Sequence, residues 1–162
     1  MNLSSFAAKF FLSVLLLGCL LVLTKFIVFK NSPSYYKNYF RAEFSRNSYK
    51  KGLAKANFKP FATLKLMQNS HLREEYKIAN LAGNVAGFVP LGILLPLLFP
   101  FLRSLWKTMI AVFFISLGFE TVQLVTDLGI FDVDDLILNT TGGIAGYLLY
   151  AVTRGITGAV KR

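Results

Sequence analysis

Four long apolar runs dominate this chain and limit what it can fold into. Residues 10–29 give twenty positions with one charge, Lys25, and residues 81–102 give twenty-two with none. Residues 108–126 give nineteen with one charge, Glu120, and residues 136–153 give eighteen with none. A helix needs about 20 apolar residues to cross the hydrocarbon core of a bilayer. A soluble domain of 162 residues has no interior large enough to hide four such runs. The 54% apolar content and mean hydropathy of +0.53 point the same way. The chain is therefore expected to be an all-α, polytopic membrane protein with about four transmembrane helices.

The runs divide the chain into a signal-anchor helix (1–29), a basic aromatic segment between the first two spans (30–80), a three-helix membrane core (81–153) and a basic tail (154–162). Lys9 followed by "FFLSVLLLGC" resembles a signal peptide with a lipobox at Cys19. The residues after Cys19, "LLVLTKFIVF", are still apolar, so an uncleaved anchor is the expectation. Cys19 is the single cysteine, which excludes an internal disulfide and a cysteine-based metal site. No metal and no cofactor are expected.

The net charge is +10, but eleven of the eighteen Lys/Arg lie between Lys30 and Lys77. One basic segment between apolar runs suits membrane lipids or an anionic wall polymer, not nucleic acid. It opens "KNSPSYYKNYFRAEFSRNSYKK", with Tyr35, Tyr36, Tyr39, Phe40 and Phe44 on one half of a helical wheel and Lys37 and Arg41 opposite. Either a surface-lying helix or an aromatic loop packed on the bundle fits this pattern. His71 is expected to be a solvated loop histidine.

The polar residues of the core are periodic. If consecutive spans alternate in direction, the start of the second, the end of the third and the start of the fourth meet at one membrane face. Asn80, Asn84 and Gly87 form one stripe; Ser116, Glu120, Gln123 and Asp127 a second; Asp135, Asn139, Gly142 and Gly146 a third. Each stripe is one side of a helix. Polar groups turn away from lipid, so the stripes should face one another. "GNVAG" (83–87) and "GGIAG" (142–146) both have the GxxxG spacing that lets helix backbones approach. Glu120 lies about 10 Å inward of Asp127 at 1.5 Å per residue. A carboxylate there costs on the order of 3 kcal/mol to insert, so a role in a site is expected for it, with Gln123, Asn84 or Asn139 as donors. Three aspartates, Asp132, Asp134 and Asp135, precede the fourth run in "FDVDDLILNTTGG". Helix capping accounts for one of them, Asp132 or Asp134. With Asp127 and Glu120 the remainder suggest a mouth for cationic or donor-rich groups.

"GNVAGFVPLGILLP" (83–96), "FETVQL" (119–124) and "DVDDLILNTTGGIAGY" (132–147), with "NFKPF" (57–61) upstream, resemble the VanZ-like family of bacterial membrane proteins. By position, the resemblance implies signature residues at Asn84, Phe88, Pro90, Gly92, Glu120, Gln123, Asp132, Asp135, Asn139, Thr140, Gly142 and Gly143. Of these, Asn84, Glu120, Gln123, Asp132, Asp135 and Asn139 are the candidate ligand-binding set. Pro60, Phe88, Pro90, Gly92, Gly142, Gly143 and Gly146 are candidate structural positions. Many members carry an Arg just before the first aspartate; here Gly129 and Ile130 stand there, so the segment from Lys30 would supply any cation. The resemblance implies low-level resistance to glycopeptides, teicoplanin above all, in Gram-positive bacteria, and a cytoplasmic N-terminus with the acidic mouth outside.

Two function classes follow. The first is a non-enzymatic envelope protein of the cell membrane, whose partners would be membrane lipids and a lipid-linked cell-wall precursor or lipoglycopeptide. The second is an intramembrane metal-dependent enzyme acting on a phosphate-bearing lipid. The sequence lacks paired DxxD motifs and a nucleophile–base pair, which favours the first.

Overall fold

The computed structural model describes residues 6–44, 47–69 and 74–159; His71 lies outside them. The structure is 84% helical and the described residues contain no strand, as the apolar runs require. The helices are α1 (Phe6–Ile27), α2 (Pro33–Asn38), α3 (Ser48–Lys55), α4 (Ala62–Asn69), α5 (Glu74–Leu98), α6 (Leu105–Thr126) and α7 (Val133–Ala159). Four segments are long and apolar enough to span a membrane: Phe6–Ile27, Ile78–Leu98, Leu105–Thr126 and Val133–Arg154. The second ends before residue 102 because Pro100 disfavours helix at Phe99, where a short 3₁₀ turn (Pro100–Leu102) takes over.

α5, α6 and α7 form the packed core, with α7 at its centre against both neighbours. α5 and α7 approach closely. A Cβ on Gly142 or Gly146 would stand 2.0 Å from the carbonyl oxygen of Val85 or Val89, and one on Gly92 2.1 Å from that of Gly143. Only hydrogen fits there, so the second GxxxG does what its spacing predicts. The first does not. Gly83 has open space where a Cβ would stand, and Gly87 faces only a Leu23 methyl. α1 lies on the outside, against α5, and is far less buried than the other spans. Phe88, Leu91, Leu95 and Val112 form the apolar centre with Leu23 of α1. Pro60 and Pro90 are exposed.

The segment between the first two spans is docked on the core. Ser32 caps α2, accepting a hydrogen bond from the Tyr35 N–H at 3.3 Å. A π-helical turn (Tyr39–Glu43) extends α2. The aromatic face therefore divides: Tyr39 is buried against Val28 and Leu128, its hydroxyl donating to the Thr126 carbonyl, while Phe40 and Phe44 stay exposed. α3 packs on α6, with Gly52 against the Leu124 carbonyl. Lys55 donates to Asp127 Oδ1 at 2.9 Å.

Candidate functional site

Asp132, Asp134 and Asp135 have three different jobs. Asp132 is the N-cap of α7: its Oδ1 accepts from the Asp134 N–H at 2.9 Å. It also receives Asn57 Nδ2 at 2.9 Å and the Thr63 hydroxyl. Asn57 completes this join with its backbone, donating to the Phe131 carbonyl (2.8 Å) and accepting from the Val133 N–H (3.1 Å), a parallel bridge between residues 57 and 132. Asp134, 1% exposed, caps a different helix. Its carboxylate accepts from the Phe61 N–H and from the Leu64 N–H (3.1 Å) at the start of α4. Phe61 stands where α4 needs a cap and cannot provide one; it has φ 64°, a left-handed conformation unusual for an aromatic residue. The distant aspartate satisfies the free N–H groups there. Asp135 alone turns toward the space between the spans, where Asn84 Nδ2 donates to its Oδ1 at 2.6 Å.

That space is a cavity of about 550 Å³ between α1, α5, α6 and α7. Its polar wall is Asn80 and Asn84 from α5, Glu120 from α6, and Asp135 and Asn139 from α7, with the exposed Lys30, just beyond α1, also lining it. Cys19, Val22 and Phe26 of α1 form the apolar side. Val22 and Phe26 are exposed, so the cavity is open on that side, between α1 and α5.

Glu120 is 1% exposed. Its donor is neither Gln123, Asn84 nor Asn139 but the backbone N–H of Asp132, which reaches Oε2 at 2.9 Å. A capping-box glutamate does this for its own helix; here the residue comes from a neighbouring one. The positive end of the α7 dipole favours negative charge at this point. The three amides are engaged elsewhere. Asn84 holds Asp135, and Asn139 Nδ2 donates to Ser116 Oγ at 2.9 Å. Gln123 donates to the Ile27 carbonyl at 2.9 Å, one of the carbonyls left free at the end of α1. Gln123 thus pins α1 to α6 and does not line the cavity, and neither does Asp132. Of the six candidate ligand-binding residues, Asn84, Glu120, Asp135 and Asn139 share the cavity.

The five carboxylates are therefore divided. Asp132 and Asp134 bind backbone N–H groups, and Asp127 holds Lys55, whose pKa it raises through the hydrogen bond. Among the described residues no three His, Cys, Asp or Glu side chains are grouped to hold a metal ion. Lys30 and Asn80 are the charged or amide cavity residues missing from the sequence-based set. The Asn80 stripe and the absent Arg were the signals that pointed to them.

Comparison with known proteins agrees with this architecture. The family model described as VanZ/LLP1 matches residues 13–154. Protein VanZ of Enterococcus faecium is 39% identical over 70 residues, 43% of each chain, so the match spans less than half of that relative's length. No solved structure matches significantly. The family match covers most of α1 and the core that carries the cavity, and this chain belongs to the VanZ/LLP1 family.

Proposed function

We propose that the protein acts in the bacterial cell membrane as a non-enzymatic envelope protein and raises tolerance to teicoplanin-type glycopeptides. It would do so by binding an envelope lipid, a lipid-linked wall precursor or the acylated drug itself. Family membership supports the setting. The observation that carries the binding role is the cavity, with acidic and amide groups on one wall and the apolar side of α1 on the other. An amphiphile needs both surfaces at once. We place the N-terminus in the cytoplasm and the cavity mouth outside. Single cysteines at position 51, exposed on α3, and at position 157, probed with an impermeant maleimide in intact cells, test this: labelling at 157 but not 51 would reverse the orientation.

Expression in a susceptible Gram-positive host is the functional test. The inhibitory concentration of teicoplanin should rise more than that of vancomycin. Asp135→Ala should abolish the rise at unchanged membrane abundance. Tolerance that does not change with the wild-type protein would remove the resistance reading.

A further inference from the structure

The cavity's hydrogen-bonding character is one-sided. Glu120 and Asp135 offer carboxylate oxygens, and each has one oxygen already bonded, to the Asp132 N–H and to Asn84. Asn139 is 1% exposed, its amide nitrogen is bonded to Ser116, and its buried Oδ1 has no hydrogen-bond partner among the described residues. A buried acceptor without a donor is unfavourable, so this wall is incomplete until a donor enters. At one residue the sign changes. Lys30 lines the cavity, is exposed, and forms no ion pair among the described residues. The side toward α1 is apolar and open. The cavity thus combines an exposed cation with a set of largely buried acceptors, beside a strip suited to a hydrocarbon chain.

We infer that this cavity binds an amphiphile whose headgroup carries a primary ammonium next to a phosphodiester, entering sideways between α1 and α5. The phosphodiester meets Lys30. The ammonium donates inward to Glu120, Asp135 and Asn139 Oδ1, and an acyl chain lies along Val22 and Phe26. Three N–H donors match three acceptors, which a quaternary choline head, with none, cannot do. This inference rests on the binding role proposed above and narrows it to one headgroup class.

Photo-crosslinking of the full chain in vesicles tests it. Vesicles of choline phospholipid receive a minor fraction of a phosphoethanolamine lipid with a diazirine in its acyl chain, or of the matching choline probe. The phosphoethanolamine probe should label peptides covering residues 19–27 and 79–90 about tenfold more than the choline probe does, the loss expected for one charge-assisted hydrogen bond. Equal labelling by the two probes overturns the inference, and this comparison needs no variant. Glu120→Gln and Asp135→Asn should each remove the preference, and its survival in both overturns the acceptor wall. Unlabelled phosphoethanolamine lipid should compete better than dodecylamine, which has the ammonium without the phosphate. Equal competition, or full preference retained in Lys30→Gln, overturns the phosphodiester half. No antibiotic is present, so the result is independent of the tolerance test.

Discussion

The two GxxxG segments have the same spacing and opposite uses. Gly142 and Gly146 let α7 touch the α5 backbone, whereas Gly83 leaves open space and Gly87 meets only a Leu23 side chain of α1. The difference lies in what faces them. Along the first seam, valine carbonyls of α5 come so close that no methyl fits. Along the second, only the end of a flexible Leu23 side chain of α1 comes near, and both glycines line the cavity. Small residues in a membrane helix thus permit either contact or a void, and the neighbouring helix decides which.

Substitution of the two pairs separates these uses. Gly146→Leu should have the largest effect. Its side chain would meet the Val89 carbonyl and Gly92, backbone that cannot move aside, and overpacking of this kind costs about 3 kcal/mol or more. Unfolding in mild detergent, followed by helical circular dichroism, would register it, and a stability close to wild type would break the comparison. Asp134→Ala comes next, at about 2–3 kcal/mol, because two N–H groups at the start of α4 lose a charged acceptor. Hydrogen exchange at Phe61 and Leu64 should accelerate while α5–α7 amides stay protected. Gly83→Leu should shift stability by less than about 0.5 kcal/mol, since nothing stands within 4 Å of the added Cβ. It should nevertheless lower teicoplanin tolerance by filling the cavity, and full tolerance would sink the idea that the gap is used.

The smallest effect belongs to Lys55→Ala, under about 0.5 kcal/mol for an exposed pair. Lys55 has a raised folded pKa, so its share is present below the ordinary value of 10.5 and fades as pH climbs through the raised one. A stability difference that persisted well above that range would assign the effect to packing of the lysine stem.

The four spans were legible because a bilayer imposes one length and one polarity on any helix that crosses it. The stripes were legible for a related reason: Ser116, Glu120 and Gln123 are all buried at helical spacing. What periodicity could not say is which buried polar group faces a cavity and which faces backbone. Gln123 and Glu120 lie on one side of α6, yet Gln123 holds the end of α1 and Glu120 reaches the cavity. The same limit applies to the three aspartates. The helix start at Asp132 could be read locally, but Asp134 serves a helix about seventy residues earlier, a pairing no local pattern contains. The aromatic segment was ambiguous for the opposite reason. Tyr39 and Phe40 are equally aromatic, and only the position of Leu128 and Val28 decides that one is buried.

The bridge between residues 57 and 132 has a consequence for biogenesis. It closes a loop containing two complete membrane crossings, α5 and α6. During synthesis the first partner, Asn57, emerges long before the second, so the start of α4 waits uncapped until both crossings are inserted and α7 has begun. Closing such a loop costs entropy that grows only slowly with its length, but it cannot begin early. A chain stalled before Asp132 would leave Asn57 and the start of α4 without their partners, and the join can form only after the second and third crossings have been made.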